Sequence, residues 1–533
     1  MKKTTRLLKK TEVAMAQGQF AAAIVSLNEL LETNPTNISY LMMRGEAHLR
    51  SENYEAGLID YAKIVEADNT NIVALINFAA ALIRCNQQND AREILDYVLD
   101  LDPENFDANI NLCNVFQSLG KPEEALKTSF KAIQIRPDSY IAYNNLGTAL
   151  GDLNMDAEAR EAFITANLLN PEFVPTIINL SQLEIKLGRH QDGINLYNKA
   201  LTLHNITENQ SDLIKYYLAY SYLFLGDLEN GWDHYEYGFG PLLPKGALRS
   251  LRKFHQPKWN GENISGKKLL IWREQGLGDE IEFSTCLADI ESLSIDAIVE
   301  TDPRLVSILK RAYPKLRVRA ESIGPDKFPT TNDFDVHIPI GSLPKFFRRN
   351  IKSFKKKINK WDVLKEHTDE FALKLSPFKK KKLVGICWRS GLVSLQRNDS
   401  YTGLNDWREL LIRDEFIFVN LQYGDCEQEL VEAEKLFNIK IIRWPDLDLK
   451  DDLERLIALI NNLDCVVTVG TAVSSIASSI GKLTILLSHP SWTMLGERNS
   501  YPWYDCIIPL IPEPNELLAS KIKTIPHLLA NIK

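Results

Sequence analysis

The chain has 533 residues, 45% of them hydrophobic and 25% charged, and carries a formal net charge of −8. That length exceeds one ordinary domain and can fill two or three separate cores, while the acidic balance argues against a general nucleic-acid binder. Seven cysteines, Cys85, Cys113, Cys286, Cys387, Cys426, Cys465 and Cys506, show no paired spacing of the kind a zinc site or redox pair needs, so free thiols in a reducing cytosol are expected.

The N-terminus, MKKTTRLLKK, is basic, but the following TEVAMAQGQF is no apolar leader core, and nowhere do eighteen apolar residues run together. A cytoplasmic chain without a membrane span is the expectation. Proline then recurs at an interval of 34 residues, at Pro35, Pro103, Pro137 and Pro171, with Asn69 in the one vacant slot. A small residue stands at a fixed distance ahead of each slot: Ala23, Gly57, Ala91, Ala125, Ala159 and Gly193. These positions predict helices that approach closely, and the prolines predict where the second helix of each pair stops. Gly18, Gly120 and Gly188 fall where the turn inside each helical hairpin is expected.

The run LGTAL…AREAF…NLLNP at 146–171 resembles the tetratricopeptide repeat (TPR), and the phase holds over five repeats. A less regular pair containing Gly226 and Gly231 extends the expected array of about six repeats to residue 240. Such arrays stack into a superhelix whose groove binds peptides. Asn77, Asn111, Asn145 and Asn179 recur at the same 34-residue interval on the first helix of successive repeats. An amide row of this kind can pair with any peptide backbone in both senses, so these four are the candidate acceptor-peptide residues. The alternative is that they satisfy neighbouring groups inside the array. A similar ladder belongs to the TPR region of protein O-GlcNAc transferases.

After residue 240 the rhythm changes. Residues 241–264, rich in Gly, Pro and basic side chains, read as a linker. From 265 to 376 short apolar runs alternate with helical patterns: KKLLIW, DAIVET, LRVRAE and DFDVHIPI. A lysine-rich stretch opens a second such series over 377–512, with LVGICW, EFIFVNL, KIIRW, CVVTVG and LTILLS. Alternation of this kind predicts parallel sheets covered by helices, and two consecutive units predict two Rossmann-like domains facing a cleft. Residues 513–533 read as a C-terminal helix. The expected class is therefore α + α/β.

The first strand of the first unit runs into EQGLGDEIEF, residues 274–283. The loop glycines Gly276 and Gly278 suggest a phosphate cradle, but the third glycine of a dinucleotide loop is missing, Ile281 standing in its place, and Asp279 would repel phosphate. Asp279 is then either the N-cap of the next helix or a catalytic carboxylate carried on a tight turn at Gly278-Asp279. In the second unit, CVVTVG opens a helix at Thr471, whose amides, with Thr471, Ser474 and Ser475 hydroxyls, suit a donor phosphate; a small-residue helix packed on the sheet is the alternative. Arg389 and Arg397 bracket a loop after LVGICW and are anion candidates, or else surface ion pairs. Trp388 and Trp492 could stack on a base or sugar, or belong to the core. The basic run at 345–360 reads as a solvated face, with a role in acceptor or domain docking as the second option. Asp446 and Asp448 read as loop caps, and no metal site is evident.

EQGLGDEIEF and VTVGTAVSSIASSIGKLTILL, with FDVHIPIGSLP at 334–344, WRSGLVSLQRNDSYTGLNDW at 388–407 and PWYD, resemble the family 9 glycosyltransferases, which include the heptosyltransferases. The resemblance covers roughly residues 250–512. It implies a GT-B fold and Asp279 as general base; with no metal site evident, a metal-independent transfer is expected, with no cofactor beyond the nucleotide-sugar substrate and, by direct displacement, with inversion. Two positions depart from the family: an aspartate is usual where Gly470 stands and a histidine where Ser475 stands. Together with the array, the resemblance to bacterial TPR-bearing flagellin glycosyltransferases implies O-glycosylation of Ser or Thr on a protein such as flagellin. A CMP-activated nonulosonic acid such as pseudaminic acid is the donor so implied, with a nucleotide-diphosphate hexose as the other option. The rival expectation is a TPR adaptor whose transferase domain has lost activity.

Overall fold

A computed structural model describes residues 2–239, 243, 249, 252–355, 361–390, 401–513 and 516–531. The chain divides into two compact units, residues 1–206 and 207–533.

The first unit is all-α: six helical hairpins, from Lys2–Ala16 with Phe20–Thr33 to Val174–Lys186 with His190–Leu201, stacked as a TPR superhelix. Its 34-residue period is built from three local devices. Ala23, Ala91, Ala125 and Ala159 are fully buried between helices, and a Cβ at Gly193 would come within 2.6 Å of Ile185 Cγ1. The turn inside each hairpin takes a left-handed residue at Gly18, Glu52, Asn86, Gly120, Asn154 and Gly188, so glycine marks only half of the turns. The side chains of Asn37, Asn71, Asn105 and Ser139 each accept the backbone N–H three residues on, capping the first helix of the next hairpin. Residues preceding the prolines, such as Asp102 (φ −140°, ψ 88°), are extended, which ends the second helix.

The second unit holds two all-parallel sheets. Strands β1 (Leu269–Trp272), β2 (Ala297–Thr301), β3 (Arg317–Ala320) and β4 (Val336–Pro339) form the first, in the order β3-β2-β1-β4. Strands β5 (Lys382–Cys387), β6 (Phe416–Asn420), β7 (Ile441–Ile442), β8 (Cys465–Val469), β9 (Thr484–Leu487) and β10 (Ile507–Leu510) form the second, in the order β10-β9-β8-β5-β6-β7. The strand runs LLIW, AIVET, CVVTV and TILL are buried throughout, as parallel strands covered on both faces must be. Strand order reverses between β1 and β4 and between β5 and β8, which leaves a crevice at the carboxyl ends of β1 and β8.

Three boundaries differ from those expected. The array ends at residue 206, not 240: the hairpin Glu208–Leu225 with Leu228–Tyr235 belongs to the second unit. Trp232 donates its indole N–H to Arg348 O at 2.9 Å, and Arg349 pairs with Asp233 at 2.8 Å and with Glu229 at 2.7 Å, so the described part of the 345–360 basic run docks this hairpin. Gly226 and Gly496, both left-handed, meet backbone to backbone: a Cβ at Gly496 would lie 2.8 Å from Gly226 Cα. The second difference is at 241–264, which over residues 252–264 is no free linker. Trp259 and Ile264 are buried, and Trp259 N donates to His337 O at 2.8 Å along the outer edge of β4. Finally, the C-terminal segment is a run of 3-10 turns, Leu518–Thr524, leading into a short helix, Ile525–Asn531, and its apolar residues complete the core of the second sheet.

Candidate functional site

Strand β1 delivers Arg273–Gly276 and then the helix Leu277–Ser284 to the crevice. Gly276 is the N-cap in an ordinary extended conformation (φ −68°, ψ 165°), and Gly278 lies inside the helix. The expected tight turn is therefore the first turn of a helix, and neither glycine is held by a left-handed φ. Gly278 instead permits close approach: a Cβ there would sit 3.6 Å from Ala472 Cα on the facing helix. Asp279 is the third residue of its helix, not the cap, where the amide dipoles favour its charge. With the Gln275 amide turned to suit its neighbours, its nitrogen donates to Asp279 Oδ2 at 3.1 Å and its oxygen accepts from Arg249 Nε at 3.3 Å and from the Tyr235 hydroxyl.

Three further carboxyls surround that turn, all buried. Glu280 accepts from Arg273 Nε at 2.9 Å and Asp302 N at 3.0 Å and also from Thr301, which ties the helix to the end of β2. Burial pushes the Glu274 carboxyl up to about 7, against the pull of Arg249 and a long bond from Gly341 N–H. Burial likewise pushes Glu282 up to about 8, although Tyr501 and Ser475 hydrogen-bond to it.

Strand β8 delivers Gly470, Thr471 and the helix Ala472–Ser479 from the other side. Thr471 is the N-cap in an extended conformation, and its side chain does not cap. Its hydroxyl lies 3.4 Å from Thr468 Oγ1, and Ser474 Oγ donates to Thr471 O at 2.6 Å. Ser474 N–H is spent on Thr471 O at 3.1 Å, so among the opening amides those of Ala472 and Val473 are the two that suit another acceptor. An added Cβ at Gly470 would meet nothing within 4 Å, so no side chain crowds that end.

Both helix starts line one cavity of about 560 Å³, within the range of small-molecule sites. Asp279, Gly278, Thr471, Ser474 and Ser475 all reach it. So do residues that the sequence did not single out, among them Glu282, Arg304, Tyr423, Lys450, His489 and Tyr501. Arg304, on the cavity wall, donates to Lys450 O at 2.9 Å, and Arg311 pairs with Glu454 at 2.6 Å, so both join the two halves.

Other expected residues stand elsewhere. Arg389 does not line the cavity; its guanidinium donates to Glu429 at 3.0 Å through Nε and to Asp425 O at 2.7 Å, the ion-pair alternative. Arg397 lies outside the described residues. Trp492 packs edge-on against Tyr220 and Trp232 in an aromatic cluster and does not line the cavity, while Trp388 is fully buried with its indole N–H on Glu429. Asp446 pairs with Arg455 at 3.0 Å, and Asp448 accepts from Lys450 and Asp451 N–H. Among the described residues no group of three or more His, Cys, Asp or Glu is placed to hold a metal ion, and no helix is long and apolar enough to cross a membrane.

In the first unit the asparagine row divides. Asn145 donates to Asn114 Oδ1 at 3.0 Å, and Asn179 donates to Asn144 Oδ1 at 3.1 Å, where Thr176 also donates. Asn77 and Asn111 are half-buried, and neither side chain hydrogen-bonds among the described residues.

Residues 8–72 and 89–150 each match a tetratricopeptide-repeat family model. The chain is 29% identical over 357 residues to Protein FlbA of Caulobacter vibrioides, a match covering 64% of this chain and 58% of that protein. The chain thus spans little more than half the length of that relative. Among solved structures, a tetratricopeptide repeat protein from Parabacteroides merdae is 17% identical and aligns with 44% of this chain and 92% of its own, at a TM-score of 0.39. MamA from Desulfovibrio magneticus is 20% identical over 32% of this chain and 97% of its own, at 0.29.

Proposed function

We propose that this TPR-bearing chain is a protein O-glycosyltransferase: the cavity of the second unit takes a nucleotide-activated sugar, and the array takes the protein that receives it. The carrying observation is that one carboxylate, Asp279, and one uncapped helix start, at Thr471, line the same cavity of about 560 Å³. A carboxylate suits the removal of a proton, and free amides at a helix start suit a phosphate. In the reaction, Asp279 accepts the proton of a Ser or Thr hydroxyl as its oxygen bonds to the anomeric carbon. The bond from that carbon to the phosphate oxygen breaks, its electron pair leaves with the nucleotide, and configuration inverts. The Ala472 and Val473 amides at the start of the helix Ala472–Ser479, with Lys450 and Arg304 nearby, stabilise the leaving phosphate.

Half-buried Asn77 and Asn111 support a peptide-binding role for the array, since their amides are available to a partner. Resemblance makes flagellin the first acceptor to test and a CMP-activated nonulosonic acid the first donor. The test is intact-mass analysis of acceptor coexpressed with the full chain. A sugar-sized mass shift that depends on the chain supports the reading. The absence of a shift on every acceptor tried would favour the second reading, an adaptor without transferase activity. One observation favours that alternative: Arg389, the expected donor-anion ligand, is committed to Glu429.

A further inference from the structure

The cavity contains a second acid that the transfer step does not use. Glu282 lies one turn after Asp279 on the helix Leu277–Ser284, and both line the cavity. Its carboxyl is buried, and among the described residues no cation pairs with it. The titratable and polar groups facing it are Asp279 from its own helix, Ser475 from the opposite helix, and Tyr501 and Tyr504 from the segment between β9 and β10. Two hydroxyls converge on one oxygen: Tyr501 donates to Oε1 at 2.7 Å, and Ser475 donates to Oε1 at 3.3 Å. Both lone pairs of Oε1 are then in use, and a proton on this carboxyl resides on Oε2.

We propose that Glu282 is a ligand-binding residue that, in its neutral form, donates a hydrogen bond from Oε2 to an anionic oxygen of the phosphate-bearing ligand in this cavity. This rests on the reading of the cavity as a nucleotide-sugar site. An ionised carboxylate at this point would repel the phosphate that the Thr471 helix start attracts, whereas the neutral acid adds a donor to the same anion. Burial, which pushes Glu282 up to about 8, keeps the acid neutral near pH 7, as for other buried carboxylic acids that act as donors.

Calorimetric titration of the full chain with CMP, UDP, GDP and ADP at pH 7 and pH 9 tests this, using the wild type, Glu282→Gln and Glu282→Ala. Glutamine keeps a donor and cannot ionise; alanine removes the donor. The other ionisable groups on the cavity wall, Asp279, Arg304, Lys450, His489 and the tyrosines, are common to all three proteins. For the nucleotide that binds most tightly, wild-type affinity is expected to fall about tenfold from pH 7 to pH 9. Glu282→Gln is expected to hold its pH 7 affinity within about twofold, and Glu282→Ala to bind weakly at both pH values. Equal pH slopes in the wild type and Glu282→Gln would overturn the proposal and leave the donor-site reading standing. Failure of all four nucleotides to bind the wild type at pH 7 would overturn both.

Discussion

Glu274 offers a quantitative test of the electrostatics beneath the site. Its carboxyl is 2% exposed, faces a long bond from Gly341 N–H at 3.5 Å, and is pushed up to about 7 by burial. The folded chain therefore holds a proton that the unfolded chain, with an ordinary glutamate near 4.5, releases. A raised carboxylate stabilises relatively at low pH, and that contribution is lost as pH rises from the unfolded value through the folded one. A rise from 4.5 to about 7 corresponds to roughly 3 kcal/mol, lost between about pH 4.5 and pH 7. Glu274→Gln keeps the shape and removes the titration. Between pH 5 and pH 8 the stability difference between variant and wild type should move by about 2.5 kcal/mol in the variant's favour; other titrating groups cancel in the comparison. Urea unfolding followed by tryptophan emission is the assay, because all nine tryptophans, from Trp232 to Trp503, lie in the second unit. Parallel pH profiles for the two proteins would refute the reasoning.

Other perturbations address the array and its boundary. Gly147→Ala would drive a Cβ to 2.6 Å from the buried ring of Phe163, so a net loss of about 1–2 kcal/mol is expected, whereas Gly151→Ala meets nothing and should gain about 0.5–1 kcal/mol. Far-UV circular dichroism during denaturation reads both, and equal effects would contradict the packing. Gly496→Ala combines a left-handed φ with the contact to Gly226 and should cost about 2–4 kcal/mol, seen by tryptophan emission; a neutral result would detach the hairpin from the second unit. Asn77→Ala with Asn111→Ala should weaken acceptor binding roughly tenfold without lowering stability, while Asn144→Ala, which strands Thr176 and Asn179, should lower stability; binding assays and melting curves separate the two.

The 34-residue period was legible because its devices are local. Proline, alanine and glycine announce helix ends and close contacts from their own chemistry. The same left-handed turn at Glu52, Asn86 and Asn154 was not legible, since those residues carry other meanings in most contexts. The caps at Asn37, Asn71, Asn105 and Ser139 recur with the same period, but asparagine and serine are common in turns and give a weaker signal than the identical residues of the row from Asn77 to Asn179. The end of the array is not legible because Glu208–Tyr235 has helical periodicity like the repeats before it. What it packs on, Arg348 and Gly496, lies more than a hundred residues away. Distance in sequence explains the site as well. Asp279 and Thr471 each follow an apolar strand and could be placed at its end. The environment of Glu282 depends on Ser475 and Tyr501, and the guanidinium of Arg389 was claimed by Glu429, forty residues on.

The central claim, that Asp279 accepts the acceptor's proton in the cavity, is tested most directly by the rate of sugar transfer in Asp279→Asn. The account predicts a loss of about a hundredfold or more, with nucleotide affinity within about twofold of wild type. Transfer at the wild-type rate in that variant would contradict it.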